Sequence, residues 1–170
     1  MRFRGVLFQL AILSAAALVA LPGLSQSMPA TVGETLSGKR IVLAEATRNH
    51  VTVLVAGFSR EGGAGCGAWF KAIRADSALA GVGVYQVASL EGAPGIFRGA
   101  IKNGMRKGMS AADQDMNVVL TQDDKLWRQY FGVTTDKEPY VVLLDANGKV
   151  LWHGHGAAAE LEPLLKNAFR

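Results

Sequence analysis

Residues 51–73 read VTVLVAGFSREGGAGCGAWFKAI, and this stretch decides the fold. Its first part holds Val51, Val53, Leu54, Val55 and Phe58 in a near-continuous apolar run over His50 to Ser59. A strand buried on both faces of a sheet carries that pattern, because neither face meets water. The glycine-rich stretch Glu61–Gly67 then opens a helix on which Cys66, Trp69, Phe70 and Ile73 recur at helical spacing, a stripe that points inward. A buried strand feeding an amphipathic helix is the opening of an α/β unit.

Outward from this unit, strands and helices alternate. Arg40–Ala46 is predicted as a short strand with Ile41 and Leu43 on one face, Val82–Ala88 as a second β-type run and Val118–Leu120 as a third. A helix is expected near Asp123–Phe131, stopped by Gly132. Tyr140–Leu144 and Lys149–His153 flank Asn147-Gly148, a strong hairpin signal. A last helix carries Leu161, Leu164, Leu165 and Ala168 along one stripe, with Pro163 expected in its first turn or so. The order implies an α/β protein with a central mixed sheet flanked by helices.

Residues 91–117 form an insert between strands. Within it, Ile96–Met109 carries Arg98, Lys102, Arg106 and Lys107 and no acidic residue, while Phe97, Ile101 and Met105 follow helical spacing. Gly99, Gly104 and Gly108 each weaken helicity by about 1 kcal/mol. Two readings stay open: a surface helix with solvated charges, or a basic amphipathic element that meets a membrane surface or an acidic partner.

With 170 residues and 18.0 kDa, the chain is one domain's worth. Its 49% hydrophobic and 19% charged residues exclude a disordered or fibrous protein. Arg2 and Arg4 precede an apolar run, Val6–Leu21, and Pro22-Gly23 and Ser25-Gln26-Ser27 follow. That layout predicts a secretory signal peptide over 1–27, cleaved before Met28, with an uncleaved anchor as the alternative. Residues 28–170 are then a single exported domain, periplasmic or secreted. Removing Arg2 and Arg4 lowers the formal charge from +4 to +2, and no dense basic patch with interleaved aromatics suggests nucleic acid.

Cys66 is the single cysteine, so no intramolecular disulfide and no two-cysteine redox cycle can form within one chain. No G-x-S-x-G, H-E-x-x-H or lysine-bearing phosphate loop is present. Gly62-Gly63-Ala64-Gly65 could receive an anion at a helix start, but Arg60 is the only cation beside it. The soft metal ligands are Cys66, Met105, Met109, His153 and His155. His153 and His155 would project to one side of a strand end, yet they fall short of a four-ligand site, and no cofactor is expected. Glu61 and Asp145 are the carboxylates whose titration could depart from the ordinary range.

The segment from Phe58-Ser59 through the loop to Cys66, then Gly132-Val133, Glu138-Pro139 and the Asn147-Gly148 hairpin, resembles the thioredoxin superfamily over roughly residues 32–170. Phe58-Ser59-Arg60, Trp69, Met105-Arg106-Lys107, and Tyr140 through Trp152 to Gly154-His155-Gly156 look most like the family that includes the mitochondrial ATP synthase assembly factor. The superfamily resemblance implies a cis bond before Pro139, facing the active-site loop. It also places the two redox cysteines at Gly63 and Cys66, so the redox C-x-x-C is lost. Thiol–disulfide exchange needs an exposed attacking thiolate and a second thiol for release, and the attacking position here has no side chain.

Two functions follow from different classes. One is a non-catalytic assembly or chaperone protein that binds a protein partner, a membrane complex by the family resemblance, through loop- or partner-facing Arg60, Glu61, Gly63, Pro139, Arg98, Lys102, Arg106 and Lys107. The other is a single-cysteine oxidoreductase or peroxidase in which Cys66 is catalytic and an external thiol resolves it.

Overall fold

The structure, a computed structural model, describes residues 27–169. Apart from Ser27, the expected signal peptide lies outside the described residues. The strands are β1 (Val32–Thr35), β2 (Arg40–Val42), β3 (Thr52–Gly57), β4 (Gly83–Ser89), β5 (Asn117–Leu120), β6 (Tyr140–Leu144) and β7 (Val150–His155). They form one sheet in the order β2-β1-β5-β4-β3-β6-β7. Strands β3, β4 and β5 are parallel neighbours, and every other pairing is antiparallel. The mixed, helix-flanked α/β architecture read from the sequence is the one observed.

The helices are α1 (Leu43–Ala46), α2 (Arg60–Ala75), α3 (Gly95–Arg106), α4 (Ala111–Asp115), α5 (Asp124–Phe131) and α6 (Ala158–Phe169). Alternation along β3 divides the core. Leu54 and Ala56 join Trp127, Tyr130 and Phe131 of α5 on one face, while Val53 and Val55 meet Cys66, Trp69 and Ile73 of α2 and Leu165 of α6 on the other. All six β3 residues are buried, as expected for a central strand covered on both sides. Among the described residues no helix is long and apolar enough to cross a membrane.

Several elements differ from the sequence reading. Strand β1 has little apolar signal, and its Gly33 is there for space: a Cβ would come within 2.6 Å of Val118 Cγ1. The strand expected over Arg40–Ala46 stops at Val42, which pairs with the first residue of β1. Beyond that point there is no strand to pair with, so the chain turns into α1 and buries Leu43. Helix α6 starts early enough that Pro163 falls inside it and not in its first turn. The Ala159 carbonyl that Pro163 cannot engage belongs to an exposed residue, which water can serve. The side chains of Leu161 and Leu164 lie outside the described residues.

The hairpin turn forms as expected. Gly148 takes φ 81°, and Asp145 Oδ1 accepts the N–H groups of Asn147 and Lys149, both at 2.8 Å. Those backbone donors, Lys149 foremost, hold the Asp145 carboxyl below its ordinary range.

Candidate functional site

Ser59 caps α2 from an extended backbone. Its Oγ accepts the Gly62 N–H at 3.1 Å and donates to the Asp136 carbonyl at 2.5 Å. This ties the helix start to the loop that leads into β6. Two glycines make the approach possible: a Cβ on Gly62 would sit 2.7 Å from the Asp136 carbonyl oxygen and 2.8 Å from that of Glu138, and one on Gly65 would sit 2.9 Å from the Pro139 ring. The same loop is braced by Tyr140, whose hydroxyl accepts the Thr134 and Thr135 N–H groups, each at 2.9 Å, and donates to the Thr135 carbonyl at 3.0 Å.

Pro139 is buried, and every peptide bond among the described residues is trans. The cis geometry implied by the superfamily resemblance is therefore corrected. An X–Pro bond favours trans by about 0.5–1 kcal/mol before tertiary contacts act. Here the trans ring already meets the helix, lying against the bare backbone of Gly65.

Cys66 lies one turn inside α2 with no exposed surface, and its thiol donates to the Gly62 carbonyl at 3.5 Å. Burial pushes the thiol up to about 12, so it stays protonated at neutral pH. Gly63, three residues earlier, has open space around its missing side chain.

That space belongs to a cavity of about 970 Å³ at the carboxyl ends of β3 and β4, bounded by the first turns of α2 and by α3. Open α/β sheets characteristically bind ligands at this end of their parallel strands. Phe58, Leu90, Ile101, Met105 and Met109 supply most of its apolar wall, and Gln86 supplies a carboxamide. Helix α3 has no buried residue. It is held by polar ties instead: Lys102 Nζ reaches Glu34 at 2.8 Å, Arg106 Nε donates to the Leu36 carbonyl, and Arg98 donates to the carbonyls of Ala93 at 2.9 Å and Glu91 at 2.8 Å.

At the cavity's rim stands an ion network that the sequence did not reveal. Arg128 binds Asp124 on its own helix and Asp136 on the loop before β6, and its guanidinium lies 5.0 Å from the Phe58 ring centre. Ser89 Oγ donates to Asp124, and Glu91 receives the Asp124 backbone N–H at 2.6 Å. The Arg128 guanidinium holds the Asp136 carboxyl below its ordinary range. The signal that could have been read is modest: Asp124 and Arg128 are four residues apart on a helix, which is ion-pair spacing.

Of the residues singled out from sequence, the structure brings Arg60, Gly63, Cys66, Met105 and Met109 to the cavity lining, Cys66 with no solvent-exposed surface. Glu61 is exposed to solvent. Arg98, Lys102 and Arg106 are committed to internal bonds, and Lys107 is exposed at the end of α3. His153 and His155 lie on β7 and do not line the cavity that Met105 and Met109 border. His155 Nδ1 is 2.5 Å from Glu138, and its ring centre lies 5.3 Å from that of Tyr140, the two rings tilted by 31°. Among the described residues no three His, Cys, Asp or Glu side chains gather as a metal site would require.

No protein-family model matches the chain, and no curated protein matches it. Solved structures do. A Chlorobium tepidum protein assigned as the thiol:disulfide interchange protein DsbE aligns at TM-score 0.60 and 19% identity, over 85% of this chain and 96% of its own. The exposed lipoprotein thioredoxin Etrx1 of Streptococcus pneumoniae aligns at 0.54 and 19%, over 81% and 96%. BsSco, a member of the Sco family of cytochrome c oxidase assembly proteins with a disulfide switch, aligns at 0.57 and 14%, over 84% and 91%. These likenesses show that the chain has a thioredoxin-like fold.

Proposed function

We propose that this chain is an exported, non-catalytic thioredoxin-fold protein that binds a protein partner, helping to assemble a membrane complex. The carrying observation is Cys66: fully buried, hydrogen-bonded to Gly62 and protonated at neutral pH, with glycine at the place of an attacking thiol. A thiol in that state cannot begin exchange chemistry. The Sco family to which BsSco belongs assembles cytochrome c oxidase, and Etrx1 is an exposed lipoprotein; both lend support to an assembly role outside the cytoplasm.

The experiment pairs thiol labelling with complementation. Native Cys66 is expected to react with iodoacetamide only as the chain opens, at the rate of unfolding. Cys66→Ala should cost about 1 kcal/mol through a small cavity and still complement a deletion strain. A Cys66→Ala variant that melts like the parent but fails to complement would install Cys66 as a catalytic thiol and remove this reading.

A further inference from the structure

We infer that the cavity beneath α3 is a binding site for a small, uncharged, largely apolar molecule carrying a hydrogen-bonding group that Gln86 recognises. This holds whether or not the chain also binds a protein partner. Gln86 faces the cavity from β4, is only 8% exposed, and its carboxamide has no hydrogen-bond partner among the described residues. The amide atoms open to the cavity, since the fully buried unpartnered atoms among the described residues are those of Asn117, Trp127 and Tyr130. A ligand supplying a donor or acceptor would take the place of solvent there. Nearby polar groups of the chain do not supply it: Ser59 is spent on Gly62 and Asp136, and Ser89 on Asp124.

The rest of the lining sets the ligand's character. Its wall is apolar: Phe58 after β3, Leu90 from the end of β4, and Ile101, Met105 and Met109 from α3 and the turn after it. Thioether side chains adapt to irregular apolar shapes. The volume, about 970 Å³, is at the upper end of small-molecule sites. The charges at the rim do not invite an ion. Arg128 is neutralised by Asp124 and Asp136, and Arg60 is exposed at the helix start beside Glu61. An uncharged body with one polar group matches the unpartnered Gln86 amide and the apolar wall; among the described residues Arg60, exposed at the rim, is the one cation of the lining without an ion pair.

Gly104 gives a clean way to close the site. It lines the cavity, and a Cβ there would meet nothing within 4 Å, so Gly104→Phe can be introduced without a clash at Cβ, places a ring at the cavity and improves helicity. The probe is N-phenylnaphthylamine, uncharged, apolar and bearing one N–H, followed by its fluorescence on titration with the full exported chain. Saturable binding at one site is expected. Gly104→Phe, folded by circular dichroism, should abolish it, and Gln86→Leu should weaken it about threefold to tenfold, the worth of one hydrogen bond. The sulfonated relative, anilinonaphthalene sulfonate, should bind more weakly. No uptake, or uptake unchanged in Gly104→Phe, overturns the site. Tighter binding of the sulfonate transfers recognition to Arg60 and overturns the uncharged class. Protection of the cavity residues by an apolar peptide, without probe uptake, reassigns the space to a protein partner and also overturns it.

Discussion

Helices α2 and α3 are both rich in glycine, and both border the same cavity; Gly63 and Gly67 of α2 face open space as the α3 glycines do, but two others in α2 serve close packing. In α2, Gly62 and Gly65 remove side chains so that backbone and the Pro139 ring can press against the helix; added Cβ atoms would come within 2.7–2.9 Å of them. In α3, Gly95, Gly99 and Gly104 all face open space. The first helix is pinned by a buried stripe of Cys66, Trp69 and Ile73; the second buries nothing and hangs on Arg98, Lys102 and Arg106. Glycine composition alone therefore does not report mobility or closeness. What the missing Cβ would have touched decides which it is.

The comparison breaks most visibly at the aromatic anchors. Trp69 is fully buried and its indole N–H donates to the Gly156 carbonyl at 2.9 Å, so Trp69→Ala should cost about 3–5 kcal/mol in denaturant unfolding. Phe97 of α3 is 55% exposed, and Phe97→Ala should change stability by less than about 0.5 kcal/mol. Equal losses at the two sites would mean that α3 is packed as firmly as α2.

A second test uses the glycines themselves. Gly62→Ala drives a methyl into two backbone carbonyls and should destabilise by about 1–3 kcal/mol, despite alanine's better helix propensity. Gly99→Ala and Gly104→Ala should each stabilise by about 0.5–1 kcal/mol, since only propensity changes there. Thermal melting reads both signs, and a stabilising Gly62→Ala would refute the close approach.

The smallest effect belongs to the rim. Because Arg128 depresses the Asp136 carboxyl in the folded chain, the pair contributes stability that is present above the unfolded value, about 3.9, and is lost as pH falls through the folded one. Asp136 is 51% exposed on its side chain, so Asp136→Asn should cost under about 1 kcal/mol at pH 7. The gap between variant and parent should close below pH 4 and shrink in high salt. A gap that does not narrow at all as pH falls below the unfolded value would assign the effect to packing.

The sequence by itself determined the elements whose signal is local. Continuous apolar runs marked β3 and β6, because strands covered on both faces carry no polar alternation. Helical periodicity placed Cys66, Trp69 and Ile73 on one buried stripe, and Asn147-Gly148 fixed the last hairpin through Gly148's positive φ. The lone cysteine and the glycine at position 63 excluded a two-thiol cycle before any coordinates existed. Tertiary structure decided the rest, because those features depend on partners distant in sequence. Strand β1 joins the sheet between β2 and β5, and Val118 of β5 leaves room for nothing larger than Gly33. Leu43 turned into α1 because β1 ends opposite Val42. The cations of α3 looked like a surface for a partner until Glu34 and the Leu36 carbonyl, nearly seventy positions away, received two of them. Likewise, only the meeting of α2, β4 and α3 leaves a cavity, since no local pattern records the space between elements.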